Sequence, residues 1–200
     1  MFGQKAYNGV AILSKHPVED VVRGLPGDPE ESEKRVIGCI VNDFMVLNLY
    51  VPNGQAVGAE KYKYKLEWLQ RLRSFLDDKY QASEKVVVTG DFNITFDDRD
   101  VYDPEKLREA IHCSTPEREA LQNVMEFGLE DALRKHHEEA GIFTWWHYMA
   151  GAFFKKQGLR IDHFLVSQPA LELCTEVKVH TQERAKKGSS DHAPVVAAFD

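Results

Sequence analysis

The sequence lacks any run of about 20 apolar residues, and this excludes a helix that spans a membrane. It has few cysteines: Cys39, Cys113 and Cys174 are odd in number and far apart, which excludes a disulfide framework and a cysteine metal cluster. The first residues contain no apolar core of a secretory signal, so we expect a cytoplasmic protein. With 43% hydrophobic and 10% aromatic residues, intrinsic disorder is not expected.

The net charge of −7 argues at first sight against a nucleic-acid partner. The acidity is concentrated, however, because residues 88–140 contain 14 acidic and 6 basic residues and so contribute −8. The solvated faces of helices are the default explanation of such a run. Part of it is also consistent with a divalent-metal site, which would let an acidic chain bind phosphates.

Short apolar strands alternate with helices over one predicted domain, 1–200, without a repeat or a linker. A helix is predicted over 60–80 from its apolar stripe, and a second begins at Ser114-Thr115-Pro116-Glu117 by capping box or proline. The predicted strands are 9–13, 36–41, 44–51, 85–89, 160–167, 176–180 and 194–199, with a hairpin turn at Asn42-Asp43. This order predicts an α/β sandwich with mixed sheets.

Polar residues follow or begin several of these strands. Asp91 and Asn93 come just after a buried strand, where they either form a plain turn or present a carboxylate and an amide to a phosphate or a water. Asp191 and His192 precede the last strand, as a capping pair or as ligands of a metal and a phosphate. Asp162 on its strand forms a cross-strand ion pair or takes His192 as its partner.

Aromatic residues and a second strand end give two further candidates. The segment Phe143 to Met149 is either core or a pocket for an extruded nucleotide. Tyr50 and Asn53 form a plain strand end or donate to a phosphate oxygen. The isolated histidines, His112 among them, are predicted to be solvated, 97–100 to be a polar loop, and the cysteines to be buried.

Taken in order, six motifs across the chain resemble the exonuclease III family of abasic-site endonucleases. They are Gly9-Val10-Ala11-Ile12-Leu13-Ser14-Lys15, Tyr50-Val51-Pro52-Asn53-Gly54, Gly90-Asp91-Phe92-Asn93-Ile94, Thr144-Trp145-Trp146, Gly158-Leu159-Arg160-Ile161-Asp162 and Ser190-Asp191-His192-Ala193-Pro194-Val195. The resemblance implies a four-layered α/β sandwich of two stacked mixed sheets (DNase I-like). It also implies a protein, monomeric when complete, that uses Mg²⁺, or Mn²⁺, to cut duplex DNA 5′ to abasic sites and to remove 3′ nucleotides or blocking groups.

The resemblance also implies a role for each matching residue. Asp91 would be the general base, Asn93 would position the water and phosphate, His192 would contact the phosphate, Asp162 would orient His192, and Tyr50 would donate to the phosphate. The implied metal ligands are Asp191, Asp91, Asn93 and His192. The implied substrate contacts are Trp145, Leu159, Ile161, Asn53, Tyr7, Met149 and Arg160, and Arg35, Lys61 and Lys65 are further phosphate contacts.

The family pattern includes an N-terminal segment, with a metal-binding Glu, that has no counterpart in these 200 residues. We therefore expect a domain that lacks its first strands. Besides the nuclease, two alternatives stay open at this point. One is a DNA-binding remnant of low or no activity, and the other is a related phosphoesterase with a non-DNA substrate.

Overall fold

The computed structural model describes all residues, 1–200, as an α/β protein with five α-helices and twelve strands. The helices are α1 Glu60–Lys79, α2 Thr115–Met125, α3 Ala132–His136, α4 Gln168–Leu173 and α5 Thr181–Arg184. The strands are β1 Phe2–Gly3, β2 Gly9–Val10, β3 Glu19–Arg23, β4 Val36–Val41, β5 Phe44–Tyr50, β6 Val86–Asp91, β7 Leu129–Asp131, β8 Trp145–Trp146, β9 Gly158–Leu159, β10 Asp162–Ser167, β11 Cys174–Val179 and β12 Val195–Phe199. None of the helices combines the length and apolarity that crossing a membrane requires.

Six strands form the central mixed sheet in the order β3-β4-β5-β6-β10-β7. Only β5 and β6 are parallel, and every other neighbouring pair is antiparallel. The remaining strands form three two-stranded sheets, β1-β2, β8-β9 and β11-β12. The expected mixed sheet is therefore present, but the layer behind it contains the antiparallel pair β11-β12 and not a second large mixed sheet.

Alternating residues of β6 separate the two faces of the central sheet, as expected for a strand buried on both sides. Val86 and Val88 pack in the larger core with the apolar stripe of α1, whereas Val87 packs with α3, α4 and β11. In α1 this stripe comprises Trp68, Leu69, Leu72, Phe75 and Leu76. The predicted helix over 60–80 is confirmed, because this spacing places the stripe on one side.

Local signals set several other boundaries. The predicted hairpin is confirmed, since Asn42 and Asp43 both adopt left-handed backbone conformations between β4 and β5, as a tight hairpin turn requires. Helix α2 begins as predicted, with the Glu117 carboxylate accepting the backbone N–H of Ser114 at 3.3 Å. The strand predicted over 9–13 is shorter, because only Gly9–Val10 pairs, with β1.

At the end of β6, backbone packing permits only glycine. Gly90 has φ +126°, and a Cβ added there would lie 2.0 Å from the carbonyl oxygen of Leu49 on β5. The backbones of β5 and β6 therefore approach very closely one residue before Asp91.

Candidate active site

Three neighbouring inner strands of the central sheet place polar residues at the same end of the sheet, here called the active-site edge. Tyr50 ends β5 and lies beside Asp91, which ends β6, and Asp91 lies opposite Asp162, which begins β10. This follows from direction, since β5 and β6 run parallel and β10 runs against them. The edge therefore collects residues that are 112 positions apart in sequence, from Tyr50 to Asp162.

A tight turn after β6 couples Asp91 to Asn93. The backbone N–H of Asn93 donates to Asp91 Oδ1 at 2.9 Å, and its side-chain amide donates to Asp91 Oδ2 at 3.0 Å. Asn93 has φ +53°, a conformation that costs most residues energy and that Asn tolerates better than others. Its Oδ1 accepts the side-chain amide of Asn53 at 3.0 Å. The carboxylate, the two amides and the turn thus form one connected unit.

The imidazole of His192 is oriented by Asp162, whose Oδ2 lies 2.8 Å from His192 Nδ1. The partnership predicted for Asp162 is therefore present. Because a carboxylate accepts, Nδ1 carries a proton, and Nε2 has no hydrogen-bond partner within the protein.

Charge at this edge is unbalanced. Burial alone would lower the pKa of His192, but its hydrogen bond to Asp162 and the charges of Asp162, Asp91 and Asp191 outweigh burial and raise the pKa to about 9. Burial and the neighbouring Asp162 raise the pKa of Asp91 to about 7, although His192 and the Asn93 N–H act in the opposite direction. His192 is consequently a cation at neutral pH, with three carboxylates around it.

The loop before β12 is tied to β8 by backbone and side-chain bonds. Trp145 forms a bridge with His192, and its indole N–H donates to Asp191 Oδ2 at 3.0 Å. The hydroxyl of Thr144 accepts the backbone N–H groups of Ile161 and Asp162 at 3.0 and 3.1 Å. The residues 144–146, 161–162 and 191–193 are therefore held in one arrangement.

Beside this edge lies a pocket of about 610 Å³ with mainly apolar walls. Four of the predicted substrate contacts line it, namely Asn53, Trp145, Met149 and Leu159. His112, Tyr102 and Gln157 complete parts of its wall. Ile161 does not line the pocket, but it packs beneath it in the small core of Leu159, Val101 and Cys113.

The other predicted contacts differ in their exposure and surroundings. Met149 is 71% exposed on the β8–β9 loop, and Tyr7 is 90% exposed between β1 and β2. The ring of Tyr50 lies 4.7 Å from the guanidinium of Arg35, which also donates to the Tyr50 carbonyl. Lys61 and Arg35 line a separate polar pocket of about 590 Å³ that shares Asn53 with the apolar one.

Two basic residues do not have the predicted contact. Arg160 is fully buried and donates to Asp100 and Asp131, so the prediction that it binds substrate is wrong. Lys65 is also fully buried and is paired with Glu117, so it is not a contact for DNA phosphates. Both side chains point into the core because each pairs there with an acidic side chain.

Two other predictions also need correction. His112 is buried at 8% exposure and not solvated, and burial together with the Lys65 charge lowers its pKa to about 4. Within the supposed polar loop, Asp100 is fully buried and pairs with Arg160. The cysteines are free and buried, as predicted.

The site's capacity for a metal follows from its donors. No three His, Cys, Asp or Glu side chains are arranged as a metal site, so the four predicted ligands do not form a complete protein cage. Mg²⁺ commonly uses one or two carboxylates, waters and substrate phosphates. The carboxylates of Asp91 and Asp191, in an edge with excess negative charge, are donors of that kind.

Comparison with known proteins gives a consistent result. Residues 1–192 match the model of the Endonuclease/Exonuclease/phosphatase family. The chain is 35% identical to "Exodeoxyribonuclease III" of Haemophilus influenzae, over 98% of this chain and 78% of the relative.

Two solved structures extend the likeness to the fold. The 3′ phosphatase NExo from Neisseria, bound to a product DNA hairpin, is 44% identical with a TM-score of 0.95, over 100% of this chain and 78% of that one. An AP endonuclease from Archaeoglobus fulgidus is 35% identical with a TM-score of 0.88, over 94% and 73% of the two chains.

Proposed function

The chain belongs to the exonuclease III/AP endonuclease family, within the Endonuclease/Exonuclease/phosphatase family, and we propose that it hydrolyses phosphodiesters of duplex DNA. The proposed reactions are incision 5′ to abasic sites and removal of 3′ nucleotides or blocking groups. The observation that carries the proposal is the contact between Asp162 and His192 beside Asp91 and Asn93, next to an apolar pocket.

Asp91 is proposed as the general base. Its carboxylate is fixed by two donors of Asn93, so it can orient an attacking water at one position. A pKa of about 7 suits proton transfer near neutral pH, since a base works best when its pKa lies near the working pH.

His192 is proposed to contact the scissile phosphate. A protonated imidazole oriented by Asp162 donates from Nε2 to a non-bridging oxygen and stabilises the charge that develops there. Tyr50, at the neighbouring strand end, is the proposed donor on the leaving-group side.

Mg²⁺, or Mn²⁺, would be held by Asp191 and Asp91 together with phosphate oxygens of the DNA. Its contribution would be to neutralise charge on the phosphate. The Oδ1 of Asn93, which accepts from Asn53, stays a proposed donor to that ion. A protonated His192 has no free ring lone pair, so in that state it stands beside the ion and does not bind it.

The apolar pocket is proposed to take the extruded abasic sugar. Its walls include the face of Trp145 and the side chain of Leu159, and Met149 stands exposed at its rim. A nucleotide without its base is smaller, so such a pocket selects against normal nucleotides because a base does not fit.

A second candidate is action at 3′ ends only. The observation that favours it is the Neisseria 3′ phosphatase, which matches the whole chain at 44% identity. In this case the pocket would be a wall beside the terminal nucleotide and would not receive an extruded sugar.

Two substrates and one variant separate the candidates. The purified chain with Mg²⁺ is given duplex DNA with one abasic-site analogue, and separately a nicked duplex with a 3′-phosphate. Trp145→Ala should lower kcat/KM for the abasic substrate by about tenfold or more, because the pocket loses its largest wall. Phe154→Ala is the control, since Phe154 is 86% exposed and does not line the pocket.

Each result favours one of the candidate functions. Incision of the abasic duplex that depends on Trp145 supports the abasic-sugar pocket. Release of phosphate without incision supports the second candidate. Absence of both activities in the wild-type chain, at concentrations where it binds duplex DNA, supports a DNA-binding remnant.

A further inference from the structure

Behind the turn of Asp91 and Asn93 lies a buried polar cluster, here called the Lys65 cluster. It consists of Tyr62, Lys65, His112, Ser114 and Glu117. Lys65, Ser114 and Glu117 are fully buried. Lys65 pairs with Glu117, Glu117 accepts the Ser114 hydroxyl at 2.6 Å, and Ser114 contacts the Tyr62 hydroxyl at 2.7 Å.

The cluster reaches the active site through backbone carbonyls. Lys65 Nζ donates to the Asn93 carbonyl at 2.7 Å and to the Asn53 carbonyl at 3.3 Å. His112 Nδ1 lies 2.6 Å from the same Asn93 carbonyl. Since a carbonyl oxygen can only accept, Nδ1 is the donor in this contact.

Burying this ammonium group is costly, and ion pairs of this kind can often be replaced by apolar residues without loss of stability. The cluster therefore requires an explanation beyond stability. What it does hold is a residue in a strained conformation, because Asn93 has φ +53° and both its N–H and its side-chain amide face Asp91. Strain of this kind persists only where the surroundings fix it.

We propose that Lys65 is a positioning residue for the proposed phosphodiester hydrolysis, acting through the backbone carbonyls of Asn93 and Asn53. Its two bonds hold the turn so that the Asn93 amide aims the Asp91 carboxylate and the Asn53 amide meets Asn93. His112 is the second donor to the turn, and its ring lies 6.4 Å from that of Trp145 at the pocket wall. The inference rests on the proposed function, and it adds to the active site a fully buried lysine that touches neither DNA nor metal.

The test compares a broken pair with a neutral pair. Lys65→Met leaves the Glu117 carboxylate buried and unpaired, so it should lower the melting temperature and activity together. The double variant K65M/E117Q removes both charges, and its glutamine can still accept from Ser114, so stability should largely return. The turn still lacks its donor, so kcat should stay about 10- to 100-fold below wild type, with Kd for duplex DNA within about threefold.

Leu72→Ala is the matched control, because Leu72 lies on the same helix, is fully buried and packs in the main core. It should lower the melting temperature while kcat, measured well below that temperature, stays within about twofold. If K65M/E117Q regains kcat together with stability, Lys65 is only structural and the proposal fails.

Crystal structures of the wild type and of K65M/E117Q keep this test separate from the proposed function. If the wild-type chain cuts no DNA, the proposed function fails, yet the positioning role is still decided by the conformation of Asn93. Loss of the left-handed conformation and of the Asn93–Asp91 bonds in the double variant supports the role. An unchanged turn overturns it.

Discussion

Two clusters of charge lie close together in the chain around the start of β10, and they differ in balance. Arg160 and Asp100 are fully buried, and Arg160 pairs with Asp100 and Asp131, while Arg134 also pairs with Asp100. Two residues after Arg160, Asp162 belongs instead to the active-site edge, where Asp91, Asp162 and Asp191 share one cation, His192.

The two clusters move the pKa of a buried aspartate in opposite directions. Burial would raise the pKa of Asp100, but Arg160, with smaller contributions from His163 and Arg134, lowers it below its usual value. Burial and Asp162 raise the pKa of Asp91 to about 7. Balanced charge thus keeps the pKa of a buried aspartate low, and unbalanced charge raises it toward neutral pH.

The largest expected effect is on the balanced cluster. Arg160→Met leaves Asp131 and part of Asp100 without a cation in the core, so it should lower the free energy of unfolding by about 3–5 kcal/mol. Urea unfolding followed by circular dichroism measures this loss. A loss below about 1 kcal/mol in the free energy of unfolding would mean that this buried cluster contributes no more to stability than an exposed ion pair.

Substitutions at the unbalanced edge should act mainly on the rate of hydrolysis. Asp91→Asn and His192→Asn should each lower kcat by about 10²–10³-fold, because each removes a preorganised contact with the reacting groups. Cleavage of an abasic-site duplex gives kcat, and fluorescence anisotropy in EDTA gives Kd. A loss of DNA affinity as large as the loss of rate would contradict the catalytic roles.

The pH dependence of stability provides a third test, at the contact of His192 with Asp162. The pKa of His192 is 6.5 in the unfolded chain and about 9 in the folded protein, so the folded state binds the proton more tightly. Protonated His192 therefore stabilises the fold fully below pH 6.5, and this stabilisation is lost as the pH rises to about 9. Thermal unfolding in EDTA should show this loss, at most about 3 kcal/mol, and Asp162→Asn should flatten it. A wild-type curve already flat between these pH values would contradict the assigned pKa.

The smallest effect belongs to an exposed pair on the same loop as Asp100. Arg99 and Asp97 bond at 2.6 Å, but their side chains are 45% and 39% exposed. Arg99→Ala should therefore change the free energy of unfolding by less than about 1 kcal/mol. Comparison with Arg160→Met in the same urea series shows how much of the stabilisation depends on the burial of an ion pair and how much on the pairing alone. A larger loss would show that exposure is no guide to the strength of these pairs.

Periodicity and turn chemistry predict much of the fold. The stripe of α1, the Asn42-Asp43 turn and the capping at Ser114 are local, so residues near in sequence determine them. The second layer was less predictable, since the pairing of β11 with β12 joins segments whose partners depend on tertiary packing.

The residues of the active-site edge could be predicted from the sequence, but the buried residues that hold them in place could not. Asp91, Asn93, Asp162 and His192 stand beside glycines, prolines and strand ends, which are visible in the sequence. The burial of Lys65 has a signal in the sequence, because Lys65 precedes Trp68 and Leu69 by three and four positions and so continues the apolar stripe. Asp100 and Arg160 gave no such signal, because their partnership spans 60 residues and depends on tertiary structure.

The pairing of Asp91 with Asp162 across β6 and β10 has a consequence for changes in chain length. The register from Asp162–Asp91 to Val166–Val87 is continuous, so inserting or deleting one residue within β10 would turn its alternate side chains to the opposite face. Such a change would move the carboxylate that orients His192 while leaving the composition almost untouched. Insertion and deletion libraries should therefore find tolerance in the β8–β9 loop and almost none in β10, a pattern that substitution libraries would not show.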